Sequence, residues 1–231
     1  MSGQEITINA ADGGEFMGYL ATPTGGSGPG VVVIQEIFGV NGFMRKVTDD
    51  LAAQGFVALC PDLFWRQEPG IQLTDQTDEE WQRAFELFGG FDLDLGVADL
   101  DATIETLRSH EGCSGKVGSI GFCLGGRLAF LTATRTNAEA AVGYYGVMLD
   151  EHTGETVNNP CLLHIATEDE YASKEQQAAV HAALDGNPKV KIYDYEGQDH
   201  AFARVGGAHY HQESAELARD RTLDFLRTYL G

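Results

Sequence analysis

The amino-acid sequence predicts an α/β chain, a mainly parallel twisted sheet with helices on both faces. Three observations predict it. Short β-branched apolar runs alternate with longer segments of helical spacing. Glycine or proline punctuates most junctions. No internal repeat, low-complexity tract or linker interrupts the alternation, so residues 1–231 are expected to form one domain.

Ile6–Asn9 and Phe16–Ala21 alternate around Asp12-Gly13-Gly14 and read as a β-hairpin. Gly25–Gly30 lacks the Lys-Ser/Thr ending of a phosphate-binding loop and reads as a surface loop. Val31–Ile34 is a strand, Gly42–Gln54 a helix stopped by Gly55, and Phe56–Cys60 a strand ended by Pro61. Asp62–Thr77 is irregular, and Thr77 is placed to cap a helix over Asp78–Phe88. Asp92–His110 is an amphipathic helix with Leu95, Leu100, Ile104 and Leu107 inward. Lys116–Ile120 is a strand and Gly125–Thr136 a helix, followed by strands Ala140–Tyr145 and Cys161–Ala166. Helix Ser173–Leu184, strand Val190–Tyr195 and helix Glu213–Tyr229 close the chain.

Composition narrows the function. Hydrophobic residues are 43% of the chain, enough for a sizeable core. The formal charge is −20, from 15 basic and 35 acidic residues. This argues against nucleic acid or an anionic membrane as partner, because both require clustered Lys and Arg. No apolar run reaches the roughly 18 residues of a membrane span, and the N-terminus has no secretory pattern. A cytoplasmic monomer or weak homo-oligomer is expected. Cys60, Cys113, Cys123 and Cys161 show no close-pair zinc spacing; Cys60 and Cys161 sit in apolar strands as core thiols.

Gly121-Phe122-Cys123-Leu124-Gly125-Gly126 lies between a strand and a helix. That is the setting of a nucleophile elbow, with cysteine where serine is usual. The flanking Gly121 and Gly125 avoid a clash where strand and helix cross, and the helix N-terminus favours a thiolate. An α/β-hydrolase orders nucleophile, acid and histidine along the chain. His200 follows the strand Val190–Tyr195 on a loop that can reach the nucleophile. His110, His152, His164 and His181 lie at a helix end, in a polar loop, mid-strand and mid-helix, and have weaker claims. His209 and His211 have no third ligand nearby in sequence, so no metal is expected. Of Glu168, Asp169 and Glu170, Asp169 stands best beyond its strand to orient His200. Ile37 and Leu124 are placed to give oxyanion-hole N–H groups, and Glu36 follows an apolar strand directly.

With these segments together the chain resembles the dienelactone hydrolase (carboxymethylenebutenolidase) family over essentially its whole length. The markers are Gln35-Glu36-Ile37-Phe38-Gly39, Pro61-Asp62-Leu63-Phe64, the cysteine elbow, Asp169 and His200-Ala201-Phe202-Ala203-Arg204. The resemblance implies an α/β-hydrolase fold and a Cys–His–Asp triad without cofactor. It implies opening of the enol lactone dienelactone to maleylacetate. It also implies that Glu36 pairs with the resting thiol and takes its proton, and that Arg204 holds a substrate carboxylate. A second substrate-binding arginine of the family falls on Trp81, and a pocket tyrosine on Phe85; Arg66 and Arg83 lie nearby but off that position. Phe38, Trp81, Phe85 and Tyr144 or Tyr145 are then the expected pocket wall. A small-molecule lactone or activated ester is the expected substrate. Alternatives are a broader carboxylesterase or thioesterase acting on less anionic esters, and a non-catalytic ligand binder.

Overall fold

The computed structural model describes residues 3–231, which form two compact units divided after Ser119. In the first, β1 (Gln4–Asn9) and β2 (Glu15–Ala21) make the antiparallel hairpin, in register from Gln4 opposite Leu20 to Asn9 opposite Glu15. Gly13, at φ 95°, supplies the left-handed turn residue between them. β2 pairs antiparallel with β4 (Val57–Pro61), and β4 pairs parallel with β3 (Gly28–Ile34). All five residues of β4 are buried, as expected of a strand covered on both faces.

β3 starts earlier than the glycine-loop reading. Gly28-Pro29-Gly30 belongs to the strand, and the Gly28 N–H donates to the Gly112 carbonyl at 3.0 Å. A Cβ on Gly30 would meet Val117 at 2.9 Å and Leu107 at 3.0 Å. The glycine is there for close packing against a helix and a strand, which a composition rule for loops does not detect.

Among the described residues, three helices belong to this unit. α1 (Gly42–Ala53) is capped by Asn41, whose side chain accepts from the Met44 N–H, and stops before Gly55 at φ 99°. α2 (Asp78–Gly89) is capped by Thr77 and carries Asp78, Glu79 and Glu80 in its first turn, where negative charge complements the helix dipole. α3 (Leu93–Arg108) is capped by Asp92 and buries Leu100, Ile104 and Leu107. Leu95 departs from its expected inward position and is 39% exposed. Five residues before Leu100, it stands about 140° round the helix from that stripe. Gly96 and Val97 continue the buried face instead.

The long strand β5 (Cys113–Phe122) runs from the first unit's sequence into the second's. In the second unit, β6 (Ala141–Tyr144), β7 (Cys161–Ala166) and β8 (Val190–Tyr195) pair in parallel in that order. β7 is wholly buried. The helices are α4 (Leu124–Arg135), α5 (Lys174–Leu184) and α6 (Gln212–Leu230). Ser173 and Gln176 close a reciprocal capping box on α5. No helix of the described residues is long and apolar enough to cross a membrane.

Candidate active site

The loops beyond the carboxyl ends of β5, β6, β7 and β8 carry Cys123, Tyr145, Asp169 and His200. This is where parallel sheets place their working residues. Cys123 caps α4 with φ 57° and ψ −117°, a conformation few non-glycine residues adopt. Its N–H donates to the Tyr144 carbonyl at 3.1 Å, and its own carbonyl accepts from Gly126 at 2.9 Å and Arg127 at 3.2 Å. Three main-chain bonds therefore hold the strained residue. Gly121 is required here, since a Cβ would stand 1.8 Å from the Gly125 carbonyl oxygen. Gly126 lets α4 approach β6 to within a Cβ of the Tyr144 carbonyl, at 2.4 Å.

His200 lies beside this turn. Its Nδ1 is 2.9 and 3.0 Å from the two carboxylate oxygens of Asp169, and both side chains are almost wholly buried. Asp169 takes one further donor, the Tyr171 N–H at 2.8 Å. With Nδ1 so engaged, Nε2 is the ring nitrogen left for the sulfur of Cys123, with which His200 is also hydrogen-bonded. Burial alone would lower the basicity of the imidazole; the charge of a Cys123 thiolate and the bond to Asp169 outweigh it and push His200 up to about 10. The structure thus brings Cys123, His200 and Asp169 together. Glu168 instead pairs with Lys174 at 2.7 Å, and Glu170 is exposed.

Tyr145 and Tyr144 part company. Tyr145, at φ 37°, sets its ring 5.0 Å from that of His200. Tyr144 was expected as an alternative pocket wall, but its hydroxyl lies 2.6 Å from Thr222 Oγ1 in the core and its ring packs on His164 at 4.3 Å. Tyr144 is the last residue of β6, and Tyr145 just past it has a left-handed backbone, so the two side chains enter different surroundings. Tyr171 takes the place left. Its ring stands edge-on to His200 at 4.9 Å, and it is 38% exposed. An aromatic side chain two residues after the acid was the available signal.

The residues expected from the earlier loop lie in the first unit. Gln35 and Glu36 are buried at the end of β3. Gln35 Oε1 accepts from the Leu63 N–H at 3.0 Å, tying this loop to the one after β4. Asp62 accepts from Phe64 and Gly70 N–H groups at 3.1 and 2.7 Å and so shapes the Pro61–Phe64 turn. Ile37 and Phe38 are buried. Trp81 meets Phe38 edge-on at 5.0 Å and stacks on Phe85 at 5.6 Å, and its Nε1 donates to the Asp75 carbonyl at 3.1 Å. These three rings form one apolar row ending at the half-exposed Phe85. Arg66 is committed elsewhere, to buried Asp99 through two bonds at 2.7 and 2.9 Å. Arg83 pairs with Glu68 and Glu86.

In the second unit, Arg204 follows His200 by one tight turn, its N–H donating to the Ala201 carbonyl at 2.9 Å. His209 lies with Glu170 and Asp199, their ligand-type atoms within 4.8 Å of one another. Sequence spacing could not show that grouping, since Glu170 comes from the loop after β7 while Asp199 and His209 follow β8. Of the remaining cysteines, Cys60 and Cys161 are fully buried, and burial pushes the Cys161 thiol up to about 12.

The dienelactone hydrolase family profile matches residues 16–230. The chain belongs to the dienelactone hydrolase family. An Azospirillum brasilense protein provisionally named a carboxymethylenebutenolidase is 49% identical, covering 98% of this chain and 99% of its own. The carboxymethylenebutenolidase of Pseudomonas putida is 39% identical, covering 96% and 94%. A crystal structure from Klebsiella pneumoniae, of a protein provisionally described as a dienelactone hydrolase, has a TM-score of 0.87 at 28% identity and covers 98% of each chain. The fold is that of the α/β-hydrolases.

Proposed function

We propose that this dienelactone hydrolase family member hydrolyses an enol lactone or activated ester through an acyl-enzyme on Cys123. The observation that carries the reading is the buried relay within the second unit. Asp169 holds Nδ1 of His200, whose other nitrogen serves the sulfur of a cysteine fixed at positive φ.

The raised basicity of His200 favours transfer of the thiol proton to its Nε2. The thiolate adds to the substrate carbonyl, forming a C–S bond and an oxyanion, with the N–H of Leu124 assigned to hold it. Collapse breaks the ester C–O bond and expels the enolate. Acylation removes the negative charge from sulfur, which is the largest influence raising His200. Burial is then opposed by Asp169 without that charge, and the imidazolium becomes more acid and gives its proton to the leaving group. The neutral imidazole next takes a proton from water, the hydroxide attacks the acyl carbon, and the C–S bond breaks to restore thiolate and imidazolium.

A thiolate suits lactones and activated esters better than amides, because it is itself a good leaving group. Arg204 is assigned to a substrate carboxylate. The row Phe38, Trp81 and Phe85 favours a second reading, a broader esterase or thioesterase acting on less anionic substrates. Purified protein offered dienelactone, short p-nitrophenyl esters and acyl thioesters, with Cys123→Ala as control, distinguishes them. A higher kcat/KM for dienelactone supports the first reading, and one for neutral esters supports the second. A cytoplasmic location agrees with the reading, as does a small-molecule substrate.

A further inference from the structure

Resting on the reading above, we infer that Asp199 is a positioning residue that fixes the spacing between the acid loop and the histidine loop. One carboxylate oxygen, Oδ1, accepts two main-chain N–H groups: that of His200 at 2.7 Å and that of Glu170, next to Asp169, at 3.1 Å. A single acceptor therefore joins the residue after the acid to the histidine itself. The two loops follow different strands, 29 residues apart at this bond. The other oxygen, Oδ2, lies 3.7 Å from Nδ1 of His209, which is also 3.1 Å from the His200 carbonyl oxygen. The main chain of His200 is thus held on both sides of its Cα, through its N–H by Asp199 and at its carbonyl oxygen by His209. Ala201, the next residue, has φ 61° and is fixed in an unfavourable conformation. The same loops are also tied from the Glu168 N–H to the Gln198 carbonyl at 2.8 Å and from the Gly197 N–H to Thr167 Oγ1 at 2.9 Å; these bonds lie before Asp199.

Those bonds set the approach of the loops but leave the rotation of the His200 peptide open. Asp199 closes that freedom, and with it the direction in which Nε2 points. An error of about 1 Å in such a group costs on the order of 100-fold in rate. Asp199 touches neither the sulfur nor the imidazole ring. Its effect should appear in kcat and in the titration of His200, with substrate affinity little changed.

The experiment uses the full-length enzyme with Asp199→Ala, Asp199→Asn and Cys123→Ala, scored for kcat, KM, thermal midpoint and the His200 titration by NMR. Asp199→Ala is expected to lose about 10–100-fold in kcat with KM within about threefold, and to shift the His200 titration downward. Asp199→Asn keeps an oxygen for both N–H groups and should recover most of the rate. Unchanged kcat and titration in Asp199→Ala overturn the inference. So does an asparagine variant as damaged as the alanine, or a rate loss matched by a lost folded fraction. If Cys123→Ala stays active, the acyl-enzyme reading fails; the Asp199 titration result stands or falls separately.

Discussion

Nδ1 of His200 stands between the two carboxylate oxygens of Asp169, at 2.9 and 3.0 Å, with both side chains shielded from solvent. A neutral carboxamide cannot hold that ring as a carboxylate does, because it presents one acceptor and one donor. Asp169→Asn is therefore expected to lower kcat by about 10²–10⁴-fold, by admitting the wrong tautomer and removing the charge that stabilises imidazolium. Steady-state hydrolysis of an activated aryl ester checks it. A loss under fivefold would remove Asp169 from the relay.

The titration of His200 depends on the sulfur. Its upward shift to about 10 is set against burial, and the negative charge of Cys123 is the largest influence opposing burial. Cys123→Ala should move the His200 titration downward, measured by NMR on the imidazole C–H signals. The sign follows for stability. A raised pKa contributes stability fully present below about 6.5 and lost as pH rises toward 10, so the alanine variant should lose less stability over that interval. An unmoved titration would mean that the sulfur is uncharged at rest.

His164 titrates the other way. Its ring nitrogens lie 2.8 Å from the Tyr195 hydroxyl and 2.9 Å from Thr222 Oγ1, and burial lowers it to about 3. The unfolded chain then binds a proton that the folded one refuses. Stability should fall as pH drops from about 6.5 toward 3, by about 1.4 kcal/mol per pH unit from this group. Urea midpoints for the wild type and His164→Gln between pH 7 and 5 test it: the variant should show the shallower decline, and parallel slopes would refute the assignment.

Asp99 is a structural counterpart. Its carboxylate, 1% exposed, takes two bonds from Arg66 and one from Trp65 Nε1 at 2.8 Å. Removing it leaves the indole N–H without acceptor and the partly buried guanidinium with Asp12 alone, at 2.6 Å. Asp99→Ala should cost about 2–4 kcal/mol, discounted because Arg66 keeps some solvent. Chemical denaturation gives the number directly, and a cost below 0.5 kcal/mol would contradict the packing described.

These residues mark what sequence reading reaches. The hairpin, the cap at Thr77 and the turn at Cys123 all depend on local chemistry, and local chemistry is written in order along the chain. His200 and Asp169 were legible because fold order and strand ends limit where such residues stand. Asp199 was not, because its two partners come from different loops and only their meeting gives it a role. Asp99 was hidden because its partners, Trp65 and Arg66, stand 34 and 33 residues away in the chain. Tyr144 and Tyr145 look alike in sequence, and only the left-handed backbone just past the end of β6 separates them. Gly28 and Gly30 read as loop residues because a glycine demanded by close packing has the same letter as one demanded by a turn.

The most direct test of the acyl-enzyme account is hydrolysis of p-nitrophenyl acetate by the wild type and Cys123→Ala at neutral pH, with intact mass and peptide mapping after rapid acid quench. The account predicts one acetyl adduct on Cys123 of the wild type, none on Cys60, Cys113 or Cys161, and a loss of at least about 10³-fold in the variant. Full hydrolysis by Cys123→Ala would contradict it.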